Sequence, residues 1–321
     1  MLYGILDQPL GRGLKYDPDT EIPDLNGKII IVTGGTYSNV GLGKETILRL
    51  SKHSPKQIYL LARTQSKAEA AIKDLQSAVP KAPISFIQCD LTDLKSVEAA
   101  AKDFTSKEKK LDILYLNAGI MATPPGLTKD GYEIQFGTNH VGHALLTKLL
   151  LPTLEKTAEQ AADVRVIAVS SVGHVGAPWS GICFDKLKTE MSWTPTMVRY
   201  GQSKLANILF ARELAKRYPK ILAVSIHPGA VNTELYRSVF NGWLSPLNRI
   251  RGGFDTVETG AKNQLWAGTV KREDVTNGEY YTPVAMSGQG SWNSQDMALA
   301  AKLWEWTENE LAGYEPPKAH P

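Results

Sequence analysis

The chain has 321 residues, 42% of them hydrophobic and 21% charged, which is ordinary for a soluble globular protein and enough to bury a sizeable core. Its 36 basic and 33 acidic residues leave a net charge of +3, spread along the sequence, which argues against a nucleic-acid surface or a polybasic membrane patch. The two cysteines, Cys89 and Cys183, have no motif spacing, so they suggest a reducing compartment rather than a disulfide framework.

Residues 1–26 are rich in Pro, Gly and Asp, show no sustained period, and read as an arm. The apolar start MLYGIL lacks a basic flank and is short for a signal-peptide core. Strand-like runs then alternate with helical patterns. The strands are Lys28–Thr33, Gln57–Ala62, Ile84–Gln88, Leu111–Leu116, Val164–Ser170, Ile221–His227 and Glu279–Thr282. The helical patterns are Leu42–Lys52, Ser66–Ala78, Leu94–Phe104, Gly131–Leu151, Thr196–Arg217, Thr256–Ala267 and Ser294–Leu311. The most apolar long stretch, Ala144–Leu154, is interrupted by Lys148 and Pro152, falls short of a membrane span, and reads as a buried helix end. With no targeting or integral membrane segment, the expected location is cytoplasmic, with peripheral membrane association left open.

The strands are short, rich in Ile, Val and Leu, and apolar on both faces. That pattern predicts an α/β fold: a doubly wound, mostly parallel, seven-stranded sheet with helices on both faces. No linker divides residues 27–321, so they are assigned to a single domain. Two long connections, 172–195 and 234–254, follow strand C-termini, where open α/β sheets bind ligands. They carry Trp179, Phe184 and Trp193, and Leu235, Phe240, Trp243, Leu244 and Leu247. Each aromatic alone is most simply packing; together they suggest an apolar cleft for a lipophilic small molecule.

The first strand runs into VTGGTYSNVGLG, residues 32–43. Glycines in such a turn let backbone N–H groups approach a pyrophosphate, and the N-terminus of the following helix favours its charge. Twenty residues after Gly43 the second strand ends at Arg63, where an acidic residue would hold the ribose hydroxyls of NAD. Arginine suits the 2′-phosphate of NADP instead. Lys44 and Ser38 are further candidates for that phosphate. The third strand ends at Asp90 and Leu91, placed to border the adenine. These readings make residues 27–321 an NAD(P)-binding domain with NADPH preferred over NAD.

Tyr200 and Lys204, in YGQSK, lie one helical turn apart on one face. A free tyrosine has a pKa of about 10, and a neighbouring ammonium lowers it by stabilising the phenolate. The pair could then pass a proton to or from an alcohol oxygen. His140 and His143 form an H-x-x-H pair, but no acidic or cysteine partner stands nearby, so no metal site is assigned. His227, at a strand end, reads as packed. Trp304 and Trp306, on the last helix, read as cover for the sheet edge or for a partner subunit.

Four more motifs fall at strand C-termini or on the helix beyond: LYLNAG (114–119), FGTNHVGH (136–143), IAVSSVGH (167–174) and HPGAVNT (227–233). With these six motifs in order, residues 27–285 resemble the single-domain short-chain dehydrogenase/reductases, which have the Rossmann fold. GLGKET, NHVGHALLT and YGQSKLANILFAREL bring the chain closest to the retinol-dehydrogenase-like and WW-domain-oxidoreductase-like branch. The resemblance implies Tyr200 as general acid in reduction and base in oxidation. It implies Lys204 as the group that lowers the tyrosine pKa and holds the nicotinamide ribose. Ser171 would bond the substrate oxygen, although the sequence alone does not choose which of Ser170 and Ser171 bonds within the strand end, and Asn139 would hold a relay water. The cofactor would lie against Gly34, Ser38, Asn39, Gly41, Leu42 and Gly43, against Asn117, Ala118 and Gly119, and against Pro228, Gly229, Val231 and Thr233. Family members are commonly dimers or tetramers, so a homodimer or homotetramer is implied.

The chain departs from the family in its glycine loop, where Thr36, Tyr37 and Ser38 are extra. The insertion is compatible with a passive bulge, with an added contact to the cofactor, or with a weakened site. The expected activity is NADP(H)-dependent interconversion of an alcohol and a ketone or aldehyde. A catalytically silent dinucleotide-binding regulator or scaffold is the alternative.

Overall fold

A computed structural model describes residues 13–35, 41–160, 162–231 and 255–317. Ser38, Asn39, Thr233, the three-residue insertion and the apolar residues at 235–247 lie outside the described residues. Seven strands form one sheet: β1 (Ile29–Thr33), β2 (Gln57–Ala62), β3 (Ile84–Gln88), β4 (Ile113–Leu116), β5 (Val164–Val169), β6 (Ile221–Ile226) and β7 (Tyr280–Tyr281). Their order is β3-β2-β1-β4-β5-β6-β7. Every pairing is parallel, so the "mostly parallel" expectation is sharpened to wholly parallel. The order reverses direction between β1 and β4, the place where open sheets of this kind bind ligands at the strand C-termini.

Alternation within each strand feeds two cores. In β1, Ile29 and Ile31 point to one face and Ile30 and Val32 to the other, all fully buried. The first face carries helices α3 (Leu94–Lys107), α4 (Gly142–Glu159), α5 (Thr196–Arg217) and α7 (Met297–Glu310) through Phe104, Leu145, Leu209 and Leu303. The second carries α1 (Leu42–Ser51), α2 (Gln65–Ala78) and α6 (Val257–Thr269) through Ile47, Ala71 and Leu265. In the described part of the arm, a short helix (Pro18–Glu21) is capped by Asp17, and Tyr16, Ile22 and Leu25 join this second core. No helix among the described residues is long and apolar enough to cross a membrane.

Several boundaries shift by one to three residues from the sequence pattern, and three differences have a clear local reason. Strand β4 starts at Ile113 rather than Leu111. Leu111 N–H donates to Thr157 Oγ1 (3.1 Å), and the Asp112 carboxylate accepts from Ile29 N–H (2.8 Å). The apolar stretch Ala144–Leu154 is mid-helix rather than a helix end, because α4 continues through Pro152 to Glu159, anchored by buried Leu149, Leu150 and Leu154. The helix expected over Gly131–Leu151 is broken. Ile134–Phe136 is α-helical, Gly137–Val141 is a π-turn, and only then does α4 begin. The last helix packs on α5 rather than on the sheet edge, with Trp304 stacked on Phe210 at 5.4 Å.

Helix α5 lies against the 3₁₀ turn Val172–Gly176 that follows β5. The approach is backbone to backbone at Gly201. A Cβ there would meet Ala177 N at 2.7 Å and Gly173 O at 2.8 Å. Gly201→Ala is therefore expected to cost about 1–3 kcal/mol as α5 is pushed outward. Urea unfolding checks this; an unchanged midpoint would show that the contact is slack.

Candidate active site

The cofactor side is built at the C-terminus of β1. Gly34 and Gly35 have φ of +74° and +125°, which turn the chain sharply. After the undescribed residues, Gly41 caps α1, and having no side chain it offers the first-turn N–H groups no side-chain acceptor. Gly43 sits so close to its neighbours that a Cβ would meet Asn117 Nδ2 and Gly34 O at 2.6 Å. Asn117 in turn donates from Nδ2 to Thr33 O (2.8 Å). Gln264, on α6, donates toward Leu42 O (3.5 Å) and Asn117 Oδ1 (3.4 Å), and also to Thr46 Oγ1. No spacing in the sequence pointed to Gln264, which is more than a hundred residues from each partner.

Arg63 is exposed at the end of β2. Asp90 Oδ1 accepts from Thr92 N–H (3.0 Å) and Thr92 Oγ1 (2.8 Å), which fixes the carboxylate at the end of β3. Leu91 is buried against the start of α4, where a Cβ on Gly142 would meet its carbonyl at 2.6 Å. Lys44 is ion-paired with Asp74 on α2. Pro228 and Gly229 follow β6. Val231 bridges to Asp255, and a Cβ on Gly229 would lie 2.9 Å from Asp255 Oδ2.

The other side of the site is built by β5 and α5. Ser170 Oγ donates to Lys204 O (2.7 Å), which bonds this serine to the helix. Ser171 Oγ accepts from Gly173 N–H (3.1 Å). Gly173 has the Tyr200 ring edge and Ser171 Oγ on the same side, at 2.8 and 3.3 Å from where a Cβ would stand. Lys204 Nζ donates to Val169 O (3.0 Å) and lies 5.7 Å from the Tyr200 ring centroid. Full burial lowers its pKa to about 8. Gly119 faces both Lys204 Nζ and Asn139 Oδ1.

Asn139 lies in the π-turn and is wholly buried. Its Oδ1 accepts from Ile120 N–H (2.8 Å), and its Nδ2 donates to Ile120 O and to Ser203 Oγ (both 2.9 Å). Ser203 Oγ donates onward to Tyr200 O (2.7 Å). The extra residue of the π-turn gives Asn139 this reach, and π-bulges of this kind recur at functional sites.

The two sides are joined by one chain of hydrogen bonds. Thr33 Oγ1 accepts from Asn117 N–H (2.9 Å) and Ala118 N–H (3.0 Å). The Asn139 carbonyl can only accept, so His143 carries its proton on Nδ1 and donates to Asn139 O (3.0 Å). Nε2 then accepts from Thr33 Oγ1 (2.8 Å), whose hydroxyl also reaches Tyr115 O (3.3 Å). His174 is fixed in the same way: Nε2 accepts from Ser291 N–H (3.1 Å) and Nδ1–H donates to Ser171 O (2.7 Å). His140 turns away from His143 toward Thr307 (3.1 Å) and Phe136, and His227 is buried at the end of β6.

A cavity of about 480 Å³ opens beside this site, between residues 122–125 and 192–199. Pro124, Pro125 and the fully exposed Trp193 border it. Trp179 is also largely exposed, whereas Phe184 packs on Trp306 at 6.1 Å. Buried at the cavity floor is an ion pair between Arg199 and Glu133, a pair the sequence motifs gave no sign of.

A family model for short chain dehydrogenases matches residues 28–182. The short-chain dehydrogenase/reductase drtF of Aspergillus calidoustus is 41% identical over 305 residues, 90% of this chain and 95% of that protein. The chain belongs to the short-chain dehydrogenase/reductase family. Retinol dehydrogenase 11 of Mus musculus is 36% identical over 284 residues, covering 88% of this chain and 85% of the relative. Among solved structures, an uncharacterised protein of Mycobacterium paratuberculosis superposes with a TM-score of 0.73 and 27% identity, over 95% of this chain and all of that one. Members of this short-chain family bind an NAD(P) nucleotide. The N-terminus of α1, with glycine at its cap, and the cradle at Gly34 and Gly43, which a Cβ would fill, fit its pyrophosphate.

Burial holds four imidazoles of this short-chain dehydrogenase neutral: His140 and His227 at about 3, His143 and His174 at about 4. In the unfolded chain each returns to about 6.5. Between those values the unfolded state binds more protons, so stability is fully present above pH 6.5 and is lost as pH falls toward 4. Each histidine contributes a slope of up to about 1.4 kcal/mol per pH unit in that window. Urea midpoints are expected to fall steeply from pH 7 to pH 4.5; a flat profile would mean that the imidazoles titrate in place.

Proposed function

We propose that the protein is an NADP(H)-dependent oxidoreductase that interconverts an alcohol and a ketone or aldehyde on a lipophilic small molecule. One observation carries this reading: Tyr200 and Ser171 Oγ flank the same glycine, with the buried Lys204 ammonium one helical turn from the tyrosine. Hydride exchange at the substrate carbon is the chemistry that a bound nicotinamide contributes. The chain's own residues handle the oxygen. Ser171 Oγ–H holds the carbonyl oxygen, and Tyr200 Oη–H donates the proton that converts it to a hydroxyl. Lys204 stabilises the phenolate left behind.

Asn139 keeps this machinery in register through Ile120 and Ser203. Its main-chain oxygen accepts from His143 with one lone pair and has a second for a relay water that reprotonates Tyr200. Arg63, exposed at the end of β2 in the place of an acid, supports NADP over NAD. The cavity beside the site, with Trp193, Pro124 and Pro125 at its edge, supports a lipophilic substrate. A lysine buried without a carboxylate partner among the described residues and aligned on a tyrosine weighs against a silent regulator, which has no use for its desolvation cost.

Purified protein with NADPH is expected to reduce members of a panel of retinal, decanal and benzaldehyde. Tyr200→Phe should lower kcat by about 100-fold or more, since positioned acid–base catalysis typically contributes that much. Loss no greater than that of a surface control would sink the mechanism. Arg63→Ser should weaken NADPH binding by about 10-fold while leaving NADH binding unchanged, because a phosphate-bound guanidinium contributes about 1.5–3 kcal/mol. Equal affinity of the wild-type protein for both cofactors would refute the NADP preference.

A further inference from the structure

The two walls of the cavity beside Tyr200 are held by one guanidinium. Arg199 Nη1 donates to Glu133 Oε1 at 2.7 Å, with side chains 1% and 0% exposed. Arg199 Nη2 donates to Thr123 O (2.8 Å) on the segment after β4, and Nε to Thr194 O (3.3 Å) on the segment before α5. Glu133 is equally committed. Its Oε2 accepts from Phe136 N–H (2.7 Å), capping the turn that runs into the π-turn of Asn139. Its own N–H donates to Leu187 O (2.8 Å). Gln135 and Thr196 reinforce the junction: Gln135 Oε1 accepts from Ala122 N–H (2.9 Å), and Thr196 Oγ1 donates to Thr123 O (3.0 Å). Ala122, on the same wall, is held at φ +54°, a conformation that persists only where its surroundings impose it.

Burying such a pair is a poor way to gain stability. Desolvation costs each ion several kcal/mol, and neutral, well-packed replacements of similar volume are often as stable. Yet the pair stands one residue before Tyr200 and six before Asn139. We propose that Arg199, through Glu133, is a positioning residue that fixes both cavity walls and the first turn of α5, so that Tyr200 and Asn139 meet the substrate in register. The inference rests on the acid–base reading of Tyr200.

The test compares Arg199→Met, Arg199→Lys and the neutral pair Glu133→Gln with Arg199→Met, in which glutamine keeps an acceptor for Phe136 N–H. Readouts are thermal midpoint, NADPH Kd by fluorescence titration, and kcat and KM with decanal and benzaldehyde. Arg199→Met strands a buried carboxylate and should lower the thermal midpoint; the neutral pair should recover it. If Arg199 positions the site, the neutral pair still shows kcat/KM reduced by about 10- to 100-fold, as small misplacements of reacting groups do, with NADPH Kd within about 2-fold of wild type. Arg199→Lys keeps the charge but not the three-way reach, and should lose about 3- to 10-fold, since an ammonium cannot reproduce the planar fork. Wild-type kcat/KM in the neutral pair, or in Arg199→Lys should the pair not fold, would overturn the proposal; so would a rise in NADPH Kd matching the loss of kcat/KM. A Tyr200→Phe protein that turns over normally would instead overturn the acid–base reading. An inactive Tyr200→Phe beside a fully active neutral pair would remove the clamp alone.

Discussion

A single buried hydroxyl joins the halves of this molecule. Thr33 ends the central strand, accepts two N–H groups from the end of the adjacent strand, and turns its proton to His143 and the carbonyl of Tyr115. The imidazole passes the constraint to the carbonyl of Asn139, which can only accept, so the proton of His143 stands on Nδ1. The glycine turn, the fourth strand and the π-turn thus share a reference point at the strand ends. A buried network of this kind specifies geometry because leaving any member unsatisfied is expensive.

Much of the fold was legible because burial on both faces forces continuous apolar strands, and these alternate clearly with amphipathic helices. Gln57–Ala62, Ile84–Gln88 and Thr196–Arg217 are found with the boundaries expected. The π-turn was not legible, since FGTNHVGH keeps helical periodicity. What breaks the helix is the bonding of the Asn139 side chain to Ile120 and Ser203, a tertiary effect. The meeting of Tyr200, Lys204, Ser171 and Asn139 was anticipated because each sits at a strand end or one helical turn away. Glu133, Arg199 and Gln264 were missed. Their partners lie far off in sequence, and a charged or amide residue within a helical pattern reads as solvated surface.

The site also shows stability and chemistry pulling in different directions. Lys204 loses its hydration to stand against Val169 O and the tyrosine ring, and four imidazoles are held neutral by burial. None of these is the most stable choice for its position. They are tolerated because two extensive apolar cores, one on each face of the sheet, supply the surplus.

His174 ties the carbonyl of Ser171 to the N–H of Ser291, residues more than a hundred positions apart. The link from Thr33 to His143 is complete in sequence long before this tie can form. On the ribosome, the strands that carry the glycine turn and the asparagine network emerge first and can begin to pair. The serine's surroundings close only when nearly the whole chain has been synthesised. A nascent or truncated chain can therefore order the link between Thr33 and His143 while the surroundings of Ser171 are still open.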